Sequence, residues 1–281
     1  MTFETDTGTL LAQSQQRARR LRRQQGGTDW TLFLAGAGLI LWGVVAGAGA
    51  MRYNWQWYRI PGYFWRKIDG EIVLGPFIKG LLVTLDITFW GALLAFGIGL
   101  CVALLRLSRS WAGHALASAY LEIIRNTPLL VQMYLFYFVL SPILGIPRFW
   151  TGVLTLAVFE ASFISEILRG GILSVPRAQW EAASALGLRG YATYRKVVLP
   201  QAVPLMLPPL TSAVVNLVKS SAIVSTIAIF DLTNEGRTII ADTFMTFEVW
   251  LTVAAIYLVL TISLSAIAAL LDRRARKFTE R

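Results

Sequence analysis

The sequence predicts an all-α, polytopic membrane helical bundle, and three observations carry that prediction. Apolar residues make up 56% of the 281-residue chain and charged residues only 15%, a balance far from that of a soluble domain. The apolar residues fall in blocks of about 20, the length a helix needs to cross a ~30 Å hydrocarbon core. The charges collect at the ends of those blocks, as topology determinants do. The net charge of +10 would by itself suit a nucleic-acid partner, but this placement argues against one.

Residues 1–29 are a polar leader containing Arg17, Arg19, Arg20, Arg22 and Arg23. The first apolar block follows at 30–51. A secretory signal begins earlier and ends at a small-residue cleavage site, so this block reads as an uncleaved transmembrane helix. Gly43 and Gly47 give it a GxxxG face for packing. Residues 52–79 are rich in rings (Trp55, Trp57, Tyr58, Tyr63, Phe64 and Trp65). Rings with polar tips settle at the headgroup level, which predicts a short helix lying on the outer leaflet.

The main transmembrane domain is predicted at 80–271, with spans at 80–106, 121–144, 150–170, 202–226 and 247–271. With 31–51 that makes six, which puts both termini on one side. If that side is the cytoplasm, the cytoplasmic segments hold 18 of the 26 Lys and Arg residues and the outer ones 7, with Lys219 inside a span. The positive-inside rule therefore places both termini in the cytoplasm, including a basic tail at 272–281. The outer loop 227–246 carries Asp231, Glu235 and Asp242, polar enough to be a docking surface.

Several chemistries are missing. Cys101 is the only cysteine and lies in an apolar block, which leaves no disulfide framework and no Cys-based metal site. His114 is the only histidine and reads as a solvated side chain in a short polar link. There is no P-loop, no Gly-x-Ser-x-Gly and no His-Glu-x-x-His, so the chain reads as a non-enzyme that binds neither ATP nor any other cofactor.

The most telling segment is polar and lies between two spans, at 176–200. Pro176 suits the start of a helix that runs to Leu186. Gly187 closes it in the left-handed conformation that glycine tolerates. Arg177 and Glu181 lie four apart on one face. Trp180, Ala182, Ala183 and Leu186 form a small apolar patch on which another backbone can approach closely. A second helix is predicted at about 191–198, ending before Leu199-Pro200 because the residue ahead of a proline is disfavoured in the α region.

The run Glu181-Ala182-Ala183, then Gly187, then Leu199-Pro200 resembles the coupling loop of importer-type ABC permeases. Three other segments resemble the polar amino-acid permeases of the histidine, glutamine and arginine type. These are Arg125-Asn126-Thr127-Pro128-Leu129-Leu130-Val131-Gln132, Phe163-Ile164-Ser165-Glu166-Ile167-Leu168-Arg169-Gly170-Gly171, and Asn216-Leu217-Val218-Lys219-Ser220-Ser221. Together they cover about residues 76 to 271, a core of five spans to which this chain adds one N-terminal span. The resemblance implies an inner-membrane permease that imports polar L-amino acids by alternating access. It implies a second permease, identical or similar, and ABC ATPase subunits that carry ATP and Mg and grip the 176–200 loop. It also implies a substrate-binding protein on the outer side. An opine or a quaternary amine is the alternative cargo; a channel or secondary transporter working without an ATPase is a rival of another class.

An ionisable side chain within a span costs roughly 2.5–3.5 kcal/mol on insertion scales, so such residues are functional candidates. Glu160, near the middle of its span, is suited to an amino acid's ammonium group or a basic side chain; a bundle contact, for instance to Lys219, is the alternative. Thr88, Gln132, Ser162, Asn216 and Phe163 are expected to complete the substrate pocket, with Thr84, Ser212 and Tyr134 as further candidates. Glu166, six residues beyond Glu160, is turned about 600° along the helix and is expected off the pocket face.

Overall fold

The computed structural model describes residues 30–279 except Val44, Arg52 and Asp69. The chain forms two units, Met1–Trp55 and Gln56–Arg281. In the first, helix α1 (Trp30–Ala50) is long and apolar enough to cross a membrane. The basic leader expected at 1–29 lies outside the described residues.

The second unit begins with a 3-10 turn, Trp57–Tyr63, and an antiparallel pair, β1 (Trp65–Ile68) and β2 (Glu71–Leu74), with Trp65 opposite Leu74. Trp57–Tyr63 supplies the short helix expected in this segment, in 3-10 form, and the hairpin after it was not expected. Gly70, at φ +87°, follows Asp69 in sequence, and Asp-Gly between extended runs is a hairpin signal. Ile60 and Tyr63 are buried in a cluster with Phe77, Leu232, Met245 and Val249, whereas Trp57, Tyr58 and Trp65 stay exposed. The segment is also pinned by the Gln56 N–H, which donates to the buried Glu248 carboxylate at 2.6 Å.

Helix α2 (Pro76–Leu107) follows, with proline in the first turn, where its missing N–H leaves nothing unpaired. Helices α3 (Trp111–Arg125) and α4 (Leu129–Leu144) meet at 104°. The single span expected at 121–144 is in fact interrupted by this bend. Pro128 disfavours the α conformation at Thr127, and the side chains take over the freed carbonyls. Asn126 Nδ2 donates to Glu122 O, Thr127 Oγ1 donates to Ile123 O, and Gln132 Nε2 reaches both Ile124 O and Thr127 O. His114 lies on α3, exposed, rather than in a link.

Helix α5 spans Arg148–Leu173 and α6 spans Arg177–Ala185. Helix α7 runs from Gly190 to Ile227, and α8 (Leu232–Thr243) leads into α9 (Thr246–Thr279). Among the described residues, α1, α2, α5, α7 and α9 are each long and apolar enough to span a membrane, and α3 with α4 meets the same test as a bent pair.

The second correction concerns Pro200. The helix expected to stop before it continues through it, by way of a π turn at Tyr194–Val198 in which the Leu199 N–H donates to Tyr194 O. A matching π turn at Leu135–Leu140 precedes Ser141-Pro142, with the Ser141 N–H on Phe136 O. Widening the helix by one residue ahead of a proline moves the carbonyl that the ring would strike, so the helix need not end.

The most extensive helix contact joins α2 and α5. Gly91, Ala95, Gly99 and Ala103 recur every fourth residue and form one buried stripe on α2. Small side chains let two backbones approach closely, which is how membrane helices gain packing energy without a hydrophobic drive. A Cβ on Gly99 would lie 2.8 Å from Ile164 Cγ2 and 3.1 Å from Ala161 O. Gly99→Val is therefore expected to destabilise the purified protein by about 1–3 kcal/mol, seen as a lower melting temperature in detergent. Gly97→Val, at a position with open space around it, should melt close to the native protein.

Helix α8 is capped by Asp231, which is fully buried and accepts from the N–H groups of Thr233 (3.2 Å) and Asn234 (3.0 Å) and from Tyr257 OH (3.3 Å). Burial raises its pKa above the ordinary carboxylate range, against the pull of those donors. Burial raises the pKa of Glu235 as well. An acid with a raised folded pKa holds its proton longer folded than unfolded. Stability should therefore fall as pH rises from about 4 through the raised value. Asp231→Asn keeps a good cap and should flatten this slope in melting temperatures followed from acid to neutral pH.

Candidate functional site

Helices α5 and α7 line an open cavity of about 780 Å³. From α5 come Phe159, Glu160, Phe163 and Glu166, and from α7 come Ser212, Asn216 and Lys219. Of the residues expected at the pocket, Glu160, Phe163 and Asn216 are brought together there. Thr88, Gln132 and Ser162 are not. Thr88 is buried, with its hydroxyl on Thr84 O at 2.7 Å, and Thr84 itself accepts from the Leu232 N–H at 3.1 Å. Gln132 is the stitch across the α3–α4 bend. Ser162 sits about 200° around α5 from Glu160 and donates to Phe159 O at 2.7 Å. Short hydroxyls satisfied within their own helix have little left to offer a ligand. Tyr134 stacks on Phe138 at 5.8 Å instead of closing the cavity.

Glu166 does border the cavity, contrary to expectation. The reason is helical spacing: it lies seven residues after Phe159 and three after Phe163, so it falls on their stripe. It is held by two guanidiniums, Arg106 at the end of α2 and Arg169 one turn further along α5. It also borders a second cavity of about 400 Å³ lined by Arg106, Glu122 and Arg125. Arg125 lies over the Phe163 ring, 5.2 Å from its centroid, so a cation–π contact joins the two cavity walls. The Arg106–Glu166 pairing had no sequence signal beyond a charge near the end of each span. Phe159 was likewise missed, since an aromatic in an apolar run carries no mark of its position.

The second functional region is the polar helical pair. Helix α6 is preceded by Pro176 at its N-cap and ends in a Schellman closure. Gly187, at φ +72°, donates to Ser184 O at 2.9 Å, and Leu188 N–H donates to Ala183 O at 3.0 Å. The expected apolar patch is divided between two faces. Trp180 and Ala183 turn inward, with Trp180 edge-on to Tyr194 at 5.2 Å, and both rings pack on the core cluster of Ile172, Val175, Val198 and Ala202. Arg177, Glu181, Ala182, Leu186 and, further on, Leu199 and Pro200 are exposed. Leu186 is 80% exposed and Tyr191 77%, an uncovered apolar pair at the tip. Arg177 and Glu181 form no ion pair with each other.

Residues 95–277 match the family described as binding-protein-dependent transport system inner membrane component. The glutamine transport system permease protein GlnP of Escherichia coli (strain K12) is 36% identical over 202 residues, covering 71% of this chain and 92% of that one. The octopine transport system permease protein OccM of Rhizobium radiobacter is 37% identical over 226 residues, covering 75% of this chain and 88% of that one. Among solved structures, an amino acid ABC transporter crystallised with histidines aligns with a TM-score of 0.67 at 39% identity, covering 71% of this chain and 94% of that chain.

Breaking the Glu166 cluster should be costly and recoverable. Glu166→Gln leaves the Arg106 guanidinium, whose Nε is already buried without a partner, with no carboxylate. A loss of about 1–3 kcal/mol is expected, and Arg106→Met combined with Glu166→Leu should regain much of it. Melting temperatures of Arg106→Met, Glu166→Leu and the double variant measure the coupling.

Proposed function

This chain belongs to the family of binding-protein-dependent transport system inner membrane components, and from that premise we propose that it is the permease subunit through which polar L-amino acids are imported. Its family is one of multi-pass inner-membrane transport subunits, whose partners are an ATPase and a substrate-binding protein. The amino-acid cargo is supported by relatives named for glutamine and by a solved amino acid ABC transporter. The observation that carries the mechanism is the two-faced polar helical pair. One face is packed into the α5–α7 core, and the other presents Glu181, Ala182, Leu186 and Tyr191 outward.

In this reading the outward face seats in a groove of the ATPase subunit on the cytoplasmic side, with both termini of the chain on that side. ATP and Mg are held by the ATPase, and this chain contributes neither nucleotide binding nor catalysis. ATP binding draws two such loops together across a pair of permeases, identical or similar. Because Trp180 and Tyr194 are wedged into the helices that line the Glu160 cavity, a shift of α6 moves those helices as a body. The cavity then opens alternately to either side. Coupling follows because ATP favours one of two packed arrangements, and the cargo delivered from outside favours the same one. A second reading, an opine cargo, is favoured by the octopine relative.

The test is ATP hydrolysis by the reconstituted complex with its binding protein, across the amino acids and octopine. A subset of polar amino acids should stimulate the native complex, and Glu160→Gln should erase or reshuffle that subset. Leu186→Asp, which touches no core residue, should cut stimulated hydrolysis at least about tenfold by weakening the ATPase contact. Stimulation by octopine alone would select the second reading, and stimulation by none of the solutes would sink the first.

A further inference from the structure

The ionisable side chains on the wall of the α5–α7 cavity are Glu160, Glu166 and Lys219. Glu166 is occupied, since Arg106 and Arg169 both reach it. Glu160 and Lys219 have no hydrogen bond or ion pair among the described residues. Each sits inside a span, where an ionisable group without a partner is expensive and marks a ligand path. They stand on two different helices, α5 and α7, that both line this open cavity, so a molecule in it meets one negative and one positive group. Lys219, Asn216 and Ser212 also edge a smaller cavity of about 380 Å³ toward α9, which leaves the ammonium room to swing.

We propose that Glu160 takes the ammonium group of an α-amino acid and Lys219 its α-carboxylate, and that the cargo's side chain is polar and uncharged. This rests on the amino-acid reading above and narrows it. A basic side chain would need a second free carboxylate, and the remaining one faces two guanidiniums. An acidic side chain, or the second carboxylate of an opine, would need another cation, and Lys219 is the only cationic residue on this wall among those described. Ser212 and Asn216 supply hydroxyl and amide groups suited to a neutral polar side chain, while Phe159 and Phe163 flank it. Charge-assisted contacts at both ends orient the head group.

The test is equilibrium binding of labelled L-glutamine, its α-carboxamide and L-arginine to the purified complex of permease and ATPase subunits, without the binding protein. The native complex should prefer glutamine to its α-amide by about ten- to hundredfold, as for loss of a charged hydrogen bond, and glutamine to arginine. Lys219→Gln should bring glutamine and its α-amide to similar affinity, whereas Lys219→Arg should keep the preference. If Lys219→Gln weakens both probes alike, or abolishes assembly with the ATPase while Lys219→Arg does the same, Lys219 is a packing or subunit contact and the proposal falls. Arginine binding as tightly as glutamine would overturn the neutral side chain while leaving amino-acid transport standing. If none of the amino acids stimulates hydrolysis in the complete complex, the cargo reading fails, and this proposal with it.

Discussion

The close approach of α2 and α5 is the constraint on which the remaining geometry rests. Ala95, Gly99 and Ala103 keep the side chains between these helices small, while Gly91 on the same stripe faces Leu217 of α7. In a bilayer there is little hydrophobic gain from burying one apolar helix on another, so dispersion and shape must supply the association. Once α5 is seated, Glu160, Phe163 and Glu166 are set at fixed heights and angles. Its C-terminal end also fixes where α6 departs. The cavity and the polar helical pair are thus two ends of one packed element.

Charge placement follows from that packing. Glu166 would be prohibitive alone in an apolar span, but α5 brings it beside Arg106 at the end of α2, and Arg169 is one turn away. The cluster satisfies itself, and Glu160 and Lys219 are the other ionisable groups lining the cavity. Two carboxylates six residues apart on one helix therefore have different surroundings, Glu166 between two guanidiniums and Glu160 buried in the cavity wall. Their neighbours on other helices decide which one is structural.

The prolines show how local rules yield to continuity. Pro128 breaks a span and produces a sharp bend, which Gln132 and Asn126 then repair by accepting the role of capping groups. Pro142 and Pro200 break nothing, because a π turn just before each absorbs the misfit. The helix beyond Pro200 must carry Asn216 and Lys219 to the cavity wall. An unbroken α7 gives the polar pair a stiff connection to them.

Composition and motif were enough for the membrane class, the main apolar helices, the left-handed glycine that ends α6, and Glu160 as a cavity residue. Each of these follows from local chemistry: a run of apolar residues, a residue without a Cβ, a charge in hydrocarbon. The hairpin at 65–74 was also marked locally, by Asp69-Gly70, yet the aromatic content masked it. Other features had no local sign. Thr88 and Ser162 are as polar as Asn216, and only packing shows that their hydroxyls are spent within their own helices. The partners of Glu166 and the split of Trp180 and Ala183 from Ala182 and Leu186 depend on residues of other elements, whereas the bend at Pro128 had a local sign in the proline itself. Helix periodicity determines which residues share a stripe, but it cannot say which stripe meets a neighbour; that is settled when backbones compete for the closest approach.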